Sequence, residues 1–273
     1  MPLFTVDADK CNRDNICAAE CPVKIIRINQ GGVPTPVDGA QQVCIECGHC
    51  VAVCPTGALV HEKLRPEDCA PVKKEWLLTP EQAEHFLRYR RSIRTYKEKQ
   101  VSRDILERLI HIARYAPSGH NTQPVRWQVI YDRDEVRRLS GYVAEWMRHM
   151  LDTAGEMAKS MHFDLVVGAW DLGVDVISRD APHLILANGA AANPASQTAC
   201  IIAMTYLDLA APSLGLGTCW NGFFNAAAFS WKPLQEALGL KPGEKNFAAM
   251  MVGYPGFRYH RMPERNAPKI KWS

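Results

Sequence analysis

Residues 44–55 read "CIECGHCVAVCP": Cys44, Cys47, Cys50 and Cys54 stand in the frame C-x2-C-x2-C-x3-C, and Pro55 follows. Thirty-three residues earlier, "CNRDNICAAECP" (11–22) repeats that frame with Cys11, Cys17, Cys21 and Pro22. Asp14 falls where the second cysteine of the frame would be. A period near 33 can mark helical repeats, but these segments are short, contain Gly and Pro, and lack helical periodicity. Each C-P is followed by a short apolar stretch, "VKIIRI" (23–28) and "TGALVH" (56–61). The pattern predicts a duplicated strand–loop unit, too small to fold on a hydrophobic core alone, so bound metal must supply much of its stability.

Soft thiolates match iron bridged by sulfide. Steps of two residues let one tight loop offer three thiolates to one cube, while the cysteine before proline turns to the partner cluster. That rule assigns Cys21, Cys44, Cys47 and Cys50 to one 4Fe-4S cluster, and Cys11, Asp14, Cys17 and Cys54 to the other. Structural zinc is the alternative, but a four-ligand zinc site has no use for the third C-x2 step or the paired C-P. Asp14 leaves three readings open. Its carboxylate, a harder ligand than thiolate, holds a labile fourth iron; that iron is lost and 3Fe-4S remains; or Asp14 is a solvated loop residue and hydroxide completes the site. Residues 1–65 resemble the bacterial-type two-cluster ferredoxins, a resemblance that implies one-electron relay.

The 273 residues have room for two ordinary domains, and a composition 47% hydrophobic and 22% charged predicts a sizeable core. A net charge of +3 is too small to point to nucleic acid or an anionic membrane as partner. Charge is uneven, however. Residues 1–75 hold 8 Lys/Arg against 10 Asp/Glu, and the remainder 24 against 19, as two units with different tasks would. The start "MPLFTVDADKC" has no basic region followed by an apolar run, and no stretch reaches bilayer-spanning length. A cytoplasmic location is the expectation, and in that reducing compartment clustered cysteines are metal ligands more often than disulfides.

A boundary is predicted between Cys69 and Trp76, dividing the chain into domains 1–75 and 76–273. "TPEQAEHFLRYRRS" (79–92) opens a helix, with Thr79 as N-cap, Pro80 first and Gln82 completing a capping box. "SRDILERLIHIARYA" (102–116) has Ser102 as N-cap and Ile105, Leu106, Leu109, Ile110, Ile112 and Ala113 along one face. "WQVIYD" and "HLILAN" read as buried strands, and "FAAMMVGYP" as a last strand. "NPASQTACIIAMTYLDLAA" (193–211), with Asn193 as N-cap, is apolar nearly all round and reads as a central or interface helix. Without a regular βαβ rhythm, the fold class is α+β.

Four stretches of the second unit bear on chemistry. "RYRRSIRTY" sets Arg90, Arg91, Ser92 and Arg94 just past a helix end, and guanidinium forks suit phosphate. "APSGHNTQPVRW" offers Pro117, Ser118, Asn121 and Gln123, whose short polar groups suit a flavin's pyrimidine edge and ribityl hydroxyls. "LGLGTCWNGFF" combines close-approach glycines with Cys219, Trp220, Asn221 and Gly222, and "GYPGFRYHRMPER" adds Arg258 and Arg261. Each alone is weak. Together and in this order they resemble the FMN-dependent nitroreductase family over residues 78–273, and the two-part layout resembles its ferredoxin-fused members.

The resemblance implies an α+β sheet flanked by helices and an intertwined homodimer. Arg90, Arg91, Ser92, Arg94 and Arg261 would bind the FMN phosphate and ribityl, with Arg258 nearby. Ser118, Asn121 and Gln123 would reach FMN from the other subunit, with Pro117 in the same cofactor-binding turn, and Cys219 to Gly222 would line its ring. "CWNG" and "QPVR" depart from commoner family segments, which leaves substrate preference open. Electrons from a reduced ferredoxin or an NAD(P)H-linked reductase would pass through the clusters to FMN and on to a small planar acceptor, a nitroaromatic or quinone. The alternatives keep the cofactors but change the reaction to reductive dehalogenation, flavin breakdown or dehydrogenation, or make the chain an electron carrier or redox sensor. The flavin carries the chemistry, so no side chain is named as catalytic.

Overall fold

The 33-residue repeat of the sequence is also a repeat of backbone conformation. Arg13 and Glu46 share a left-handed φ (58° and 52°), as do Asn15 and Gly48 (62° and 72°) and Lys24 and Gly57 (52° and 65°). Each pair is 33 residues apart. The computed structural model describes residues 2–273 and divides into two compact units. One runs to Leu77 and includes the tripeptide His120–Thr122; the other comprises Leu78–Gly119 and Gln123–Ser273.

The first unit follows the order β1 (Phe4–Val6), α1 (Ile16–Glu20), β2 (Ile26–Ile28), β3 (Pro34–Pro36), α2 (Ala40–Val43), α3 (His49–Ala52) and β4 (Leu59–His61). Strand β1 pairs antiparallel with β4, Phe4 opposite His61, and β2 with β3, Ile26 opposite Pro36. Helix α3 starts 33 residues after α1, and β4 lies 33 after β2. The strand–loop expectation therefore omitted a helical turn in each half. A helix this short has no room to display a periodic apolar face, so the sequence carries no signal for it. The apolar core is small: Leu3, Phe4, Ile25, Ile26, Val51 and Leu59, packed with Cys17 and Cys21.

In the second unit α4 (Pro80–Tyr89) opens on the capping box its sequence announces. Thr79 Oγ1 accepts from Gln82 N at 3.3 Å, and Gln82 Oε1 accepts from Thr79 N at 3.0 Å. Helix α5 (Arg103–Ala113) follows Ser102, whose side chain makes no cap hydrogen bond. Leu106, Leu109 and Ala113 are buried and Ile105 and Ile110 pack against them, but Ile112 is exposed. Ile112 follows Ile105 by seven residues and so sits at the same edge of the stripe, about 100° from the Ala113 line, where the core no longer covers it.

The remaining elements are β5 (Arg126–Ile130), α6 (Arg133–Thr153), α7 (Gly155–Ser160), α8 (Phe163–Asp171), β6 (His183–Ala190), α9 (Ser196–Ala210), β7 (Gly217–Trp220), α10 (Gly222–Ser230), α11 (Lys232–Ala237) and β8 (Glu244–Gly253). The sheet order is β5-β6-β8-β7, with every pair antiparallel. Alternation sorts its side chains into two cores. Leu184, Leu186, Ala249 and Met251 face a cluster with Leu139, Val143, Met147, Phe163 and Phe224. Ile185, Ala187, Ala248, Met250 and Val252 face Leu106, Leu109, Met204 and Leu207. Helices cover both faces, which is why these strands read as continuous apolar runs rather than alternating ones. Helix α9 begins later than expected: Ala195, not Asn193, is its N-cap, and Asn193 Oδ1 accepts from Ala195 N at 2.9 Å in the preceding turn. Its Ala199, Cys200, Ala203 and Met204 are buried, whereas Ile201 and Tyr206 are exposed.

Gly48 holds a left-handed φ of 72°, and a Cβ there would stand 2.7 Å from Leu64 Cδ2. Gly48→Ala should therefore cost the first unit about 1–2 kcal/mol, whereas Asn15→Gly at the matching position should change stability by only a few tenths. Denaturant melts of the two variants read this directly.

Candidate metal centres and cofactor site

Two cavities in the first unit each gather cysteines from both halves of the repeat. One is lined by Cys44, Cys47, Cys50 and Cys21, with Leu3, Phe4, Ile25 and His61 around them. The other is lined by Cys11, Cys17 and Cys54 with Asp14, beside Val6, Ile16 and Leu59. All are free thiols. Among the described residues no three His, Cys, Asp or Glu side chains converge on the point a single ion would occupy. Spread thiols round an apolar void fit a multi-iron cluster, whose irons are each held by a separate sulfur.

Burial pushes the Cys50 thiol up to about 11, helped by the neighbouring Cys47 charge, and burial raises Cys44 and Cys17 too. Cys54 is the exception. Burial raises it, but backbone hydrogen bonds at Leu59, Ala58 and Thr56, with the Thr56 hydroxyl, outweigh that and lower it. In the metal-free chain the raised thiols are neutral at pH 7, so loading with metal must release their protons. Asp14 Oδ1 accepts from Ile16 N at 3.3 Å, at the turn into α1.

Sequence reasoning passed over His61. It is 5% exposed, at the end of β4, with Nε2 3.6 Å from Cys44 Sγ. The available signal was a polar residue closing "TGALVH" where "VKIIRI" ends in Ile28.

In the second unit Arg90 follows the end of α4, and its Nη1 meets Asp208 Oδ2 at 3.3 Å. Asp208 is buried and its Oδ1 accepts from Thr218 Oγ1 at 2.5 Å. Ser92 lies in a parallel bridge with Thr218, and Ile93 N donates to Thr218 O at 2.8 Å. This close passage requires Gly217, where a Cβ would stand 2.5 Å from Ile93 Cγ1. Arg91 and Arg258 line one cavity of about 370 Å³ with Lys97, Tyr89 and the backbone of Gly215–Thr218. Arg90 and Arg91 also line a cleft with residues 263–268. Three cations beside glycine backbone are a donor set that fits a phosphate. Arg94 and Arg261 are exposed and line neither.

The other expected residues separate. Gln123 N donates to Ser118 Oγ at 2.9 Å, closing a loop in which His120, Asn121 and Gln123 hold left-handed φ of 51°, 54° and 43°. Such backbone in non-glycine residues is strained and concentrates at functional loops. Asn121 belongs to the first unit, where its Nδ2 donates to Ile45 O and Glu46 O (3.2 and 3.0 Å) between Cys44 and Cys47. Pro117 is exposed. On β7, Cys219 is buried and Trp220 partly exposed. Asn221 is buried as the N-cap of α10: it accepts from Phe224 N at 3.1 Å and donates to Ser178 Oγ at 2.9 Å. Gly222 is exposed. Burial raises the Cys219 thiol, and the charges of Arg94 and Arg179 oppose that rise. Arg179, absent from every motif, thus joins Arg94 and Cys219 only through the fold.

The description "Nitroreductase family" matches residues 87–254, and "4Fe-4S dicluster domain" matches residues 4–69. A protein of Archaeoglobus fulgidus described as "Putative NADH dehydrogenase/NAD(P)H nitroreductase" is 28% identical over 166 residues, 61% of this chain and 81% of that one. A "Ferredoxin 7Fe" of Hydrogenibacillus schlegelii is 41% identical over 56 residues, 20% of this chain and 67% of that one. The crystal structure of a nitroreductase with bound FMN from Bacteroides fragilis has the same fold, with a TM-score of 0.58 and 18% identity over 70% of this chain and 98% of that one. Because the nitroreductase match spans more than half its length, the chain belongs to the nitroreductase family, with a 4Fe-4S dicluster domain preceding the family domain.

Proposed function

We propose that this flavin oxidoreductase takes up single electrons through its iron–sulfur domain and reduces an electron-poor planar acceptor, a nitroaromatic or quinone, at a bound FMN. The observation that carries the reading is the exchange of Cys21 and Cys54 between the halves of the repeat, each completing the other half's thiol set. When bound, the clusters supply one-electron transfer and FMN joins it to two-electron chemistry. The chain binds and orients both, and protons come from solvent.

Cys21, Cys44, Cys47 and Cys50 would hold one 4Fe-4S cluster. Cys11, Cys17 and Cys54 would hold three irons of the other and Asp14 a loosely bound fourth. The relative described as a 7Fe ferredoxin supports that weaker eighth position. Asp208 fixes one edge of the Arg90 guanidinium, leaving its other donors for phosphate or ribityl oxygens. Arg91, Ser92, Arg94, Arg258 and Arg261 would complete that end. Ser118 and Gln123 would serve the flavin edge, and Cys219, Trp220, Asn221 and Gly222 the ring. Helix α4 buries none of its residues and exposes Phe86, Leu87 and Tyr89; with exposed Ile201 and Tyr206 on α9, these apolar surfaces support a homodimer.

Three outcomes test this reading. Protein purified without oxygen should hold about eight irons per chain and fall to seven in air, whereas Asp14→Cys should keep eight; zinc in place of iron would refute the clusters. Arg91→Ala should weaken FMN binding by about 10- to 100-fold, the equivalent of roughly 1.5–3 kcal/mol for hydrogen bonds to a charged group, with little change in melting temperature. With reduced ferredoxin as donor, nitroaromatics or quinones should turn over faster than halophenols. Preference for halophenols would favour dehalogenation, and no turnover of any acceptor would favour a carrier.

A further inference from the structure

Around Cys21, Cys44, Cys47 and Cys50 stands a buried polar side chain that comes from outside the cysteine frame, whereas Glu46 and His49 of the frame are exposed. That side chain is His61, with Nε2 3.6 Å from Cys44 Sγ. Its other ring nitrogen sets the direction of that contact. Nδ1 lies 3.2 Å from Lys63 N, whose hydrogen it accepts. A nitrogen accepting a hydrogen bond carries no proton, so the proton of the neutral ring is on Nε2 and points at Cys44. The Lys63 ammonium is itself paired with Glu46 and does not compete for the imidazole.

The second cavity has no histidine counterpart; the polar side chain beside a cysteine sulfur there is the Thr56 hydroxyl, 3.7 Å from Cys54 Sγ. Thirty-three residues before His61 the repeat places Ile28, and the lining of Cys11, Cys17 and Cys54 contains no histidine. Two sites built on one backbone thus differ at a position that bears on charge. A hydrogen bond to a ligating sulfur withdraws electron density from it and favours the reduced, more negative cluster.

We propose that His61 is a positioning residue for electron transfer: it donates Nε2–H to the Cys44 sulfur and raises the reduction potential of the cluster at that site. The proposal rests on the reading that these four thiolates hold a cluster. It predicts that the halves of the repeat, alike in backbone, are set apart in potential partly by this one side chain.

The test is a redox titration of anaerobically purified holoprotein followed by electron paramagnetic resonance, with iron measured on the same samples. In His61→Leu the reduced-to-oxidised ratio of this cluster at fixed ambient potential should fall about tenfold, which is about 59 mV for one electron. The other cluster should not move. His61→Gln, which keeps an N–H donor, should recover most of the shift. An unmoved potential with full iron, or an equal shift of both clusters, would overturn the role of His61. Absence of iron from the wild-type site would instead refute the cluster reading.

Should His61→Leu lose its iron, a second measurement decides. His49 also lines this cavity, so ring-labelled 15N-histidine is introduced in a His49→Gln background. Electron spin echo modulation of the reduced cluster should then show an imidazole nitrogen coupling that His61→Gln abolishes. No such coupling would overturn the proposal.

Discussion

The first unit depends on thiols of its two halves meeting across the repeat. Neither half has enough apolar surface to fold by itself, and the common core is little more than Leu3, Phe4, Ile25, Ile26, Val51 and Leu59. Cys21 lies with the cysteines of the second half and Cys54 with those of the first, so a metal group in either cavity would cross-link both. The backbone is arranged for that purpose. Left-handed turns at Arg13, Asn15, Glu46 and Gly48 bend each loop tightly around its cavity. Metal binding at these cavities would be linked to folding, as in other small metal-held domains.

The second unit meets a different constraint. Its four-stranded sheet is buried on both faces, so polar groups inside rely on partners within the protein, and Asn246 Oδ1 is among the few described atoms left without one. Asn188, Gln128 and Asn246 do so through Asn188 Nδ2 to Gln128 Oε1 and Asn246 Nδ2 to Asn188 Oδ1, at 3.1 and 2.9 Å. The buried chain Ser140–Ser178–Asn221 does the same near the turn into α10. At the β7 edge the missing side chain of Gly217 lets residues 92–93 lie against Thr218. That local approach presents Arg90 to Asp208 and Arg91 to the cavity it shares with Arg258.

Charge and burial divide the labour between the units. Desolvation raises the thiols of Cys17, Cys44 and Cys50 in the first, soft ligands that give up their protons to a bound metal. The second concentrates guanidinium groups on Gly-lined surface, where permanent positive charge suits an anionic cofactor end. Cys200, buried in the second unit, is pushed up to about 12 by desolvation alone and donates to Asn188 O at 3.5 Å.

Local chemistry was legible in order and spacing. The two cysteine frames, their 33-residue offset and the capping box at Thr79 each depend on neighbours close along the chain, so letters alone disclose them. The same holds for the buried strands, because a run such as "HLILAN" has nowhere to go but a core. Residues whose role comes from distant partners were not legible. Ile112 lay at the uncovered edge of its stripe, Asn193 yielded the cap to Ala195, and the contact of the Asn121 amide with the Cys44–Cys47 loop had no signal in the letters around it. His61 and Arg179 belong to no motif, yet one stands at Cys44 and the other acts on Cys219. Spacing determines which ligands one loop can offer; only three-dimensional packing decides what approaches them from elsewhere, because those contacts close over sequence separations that no local pattern encodes.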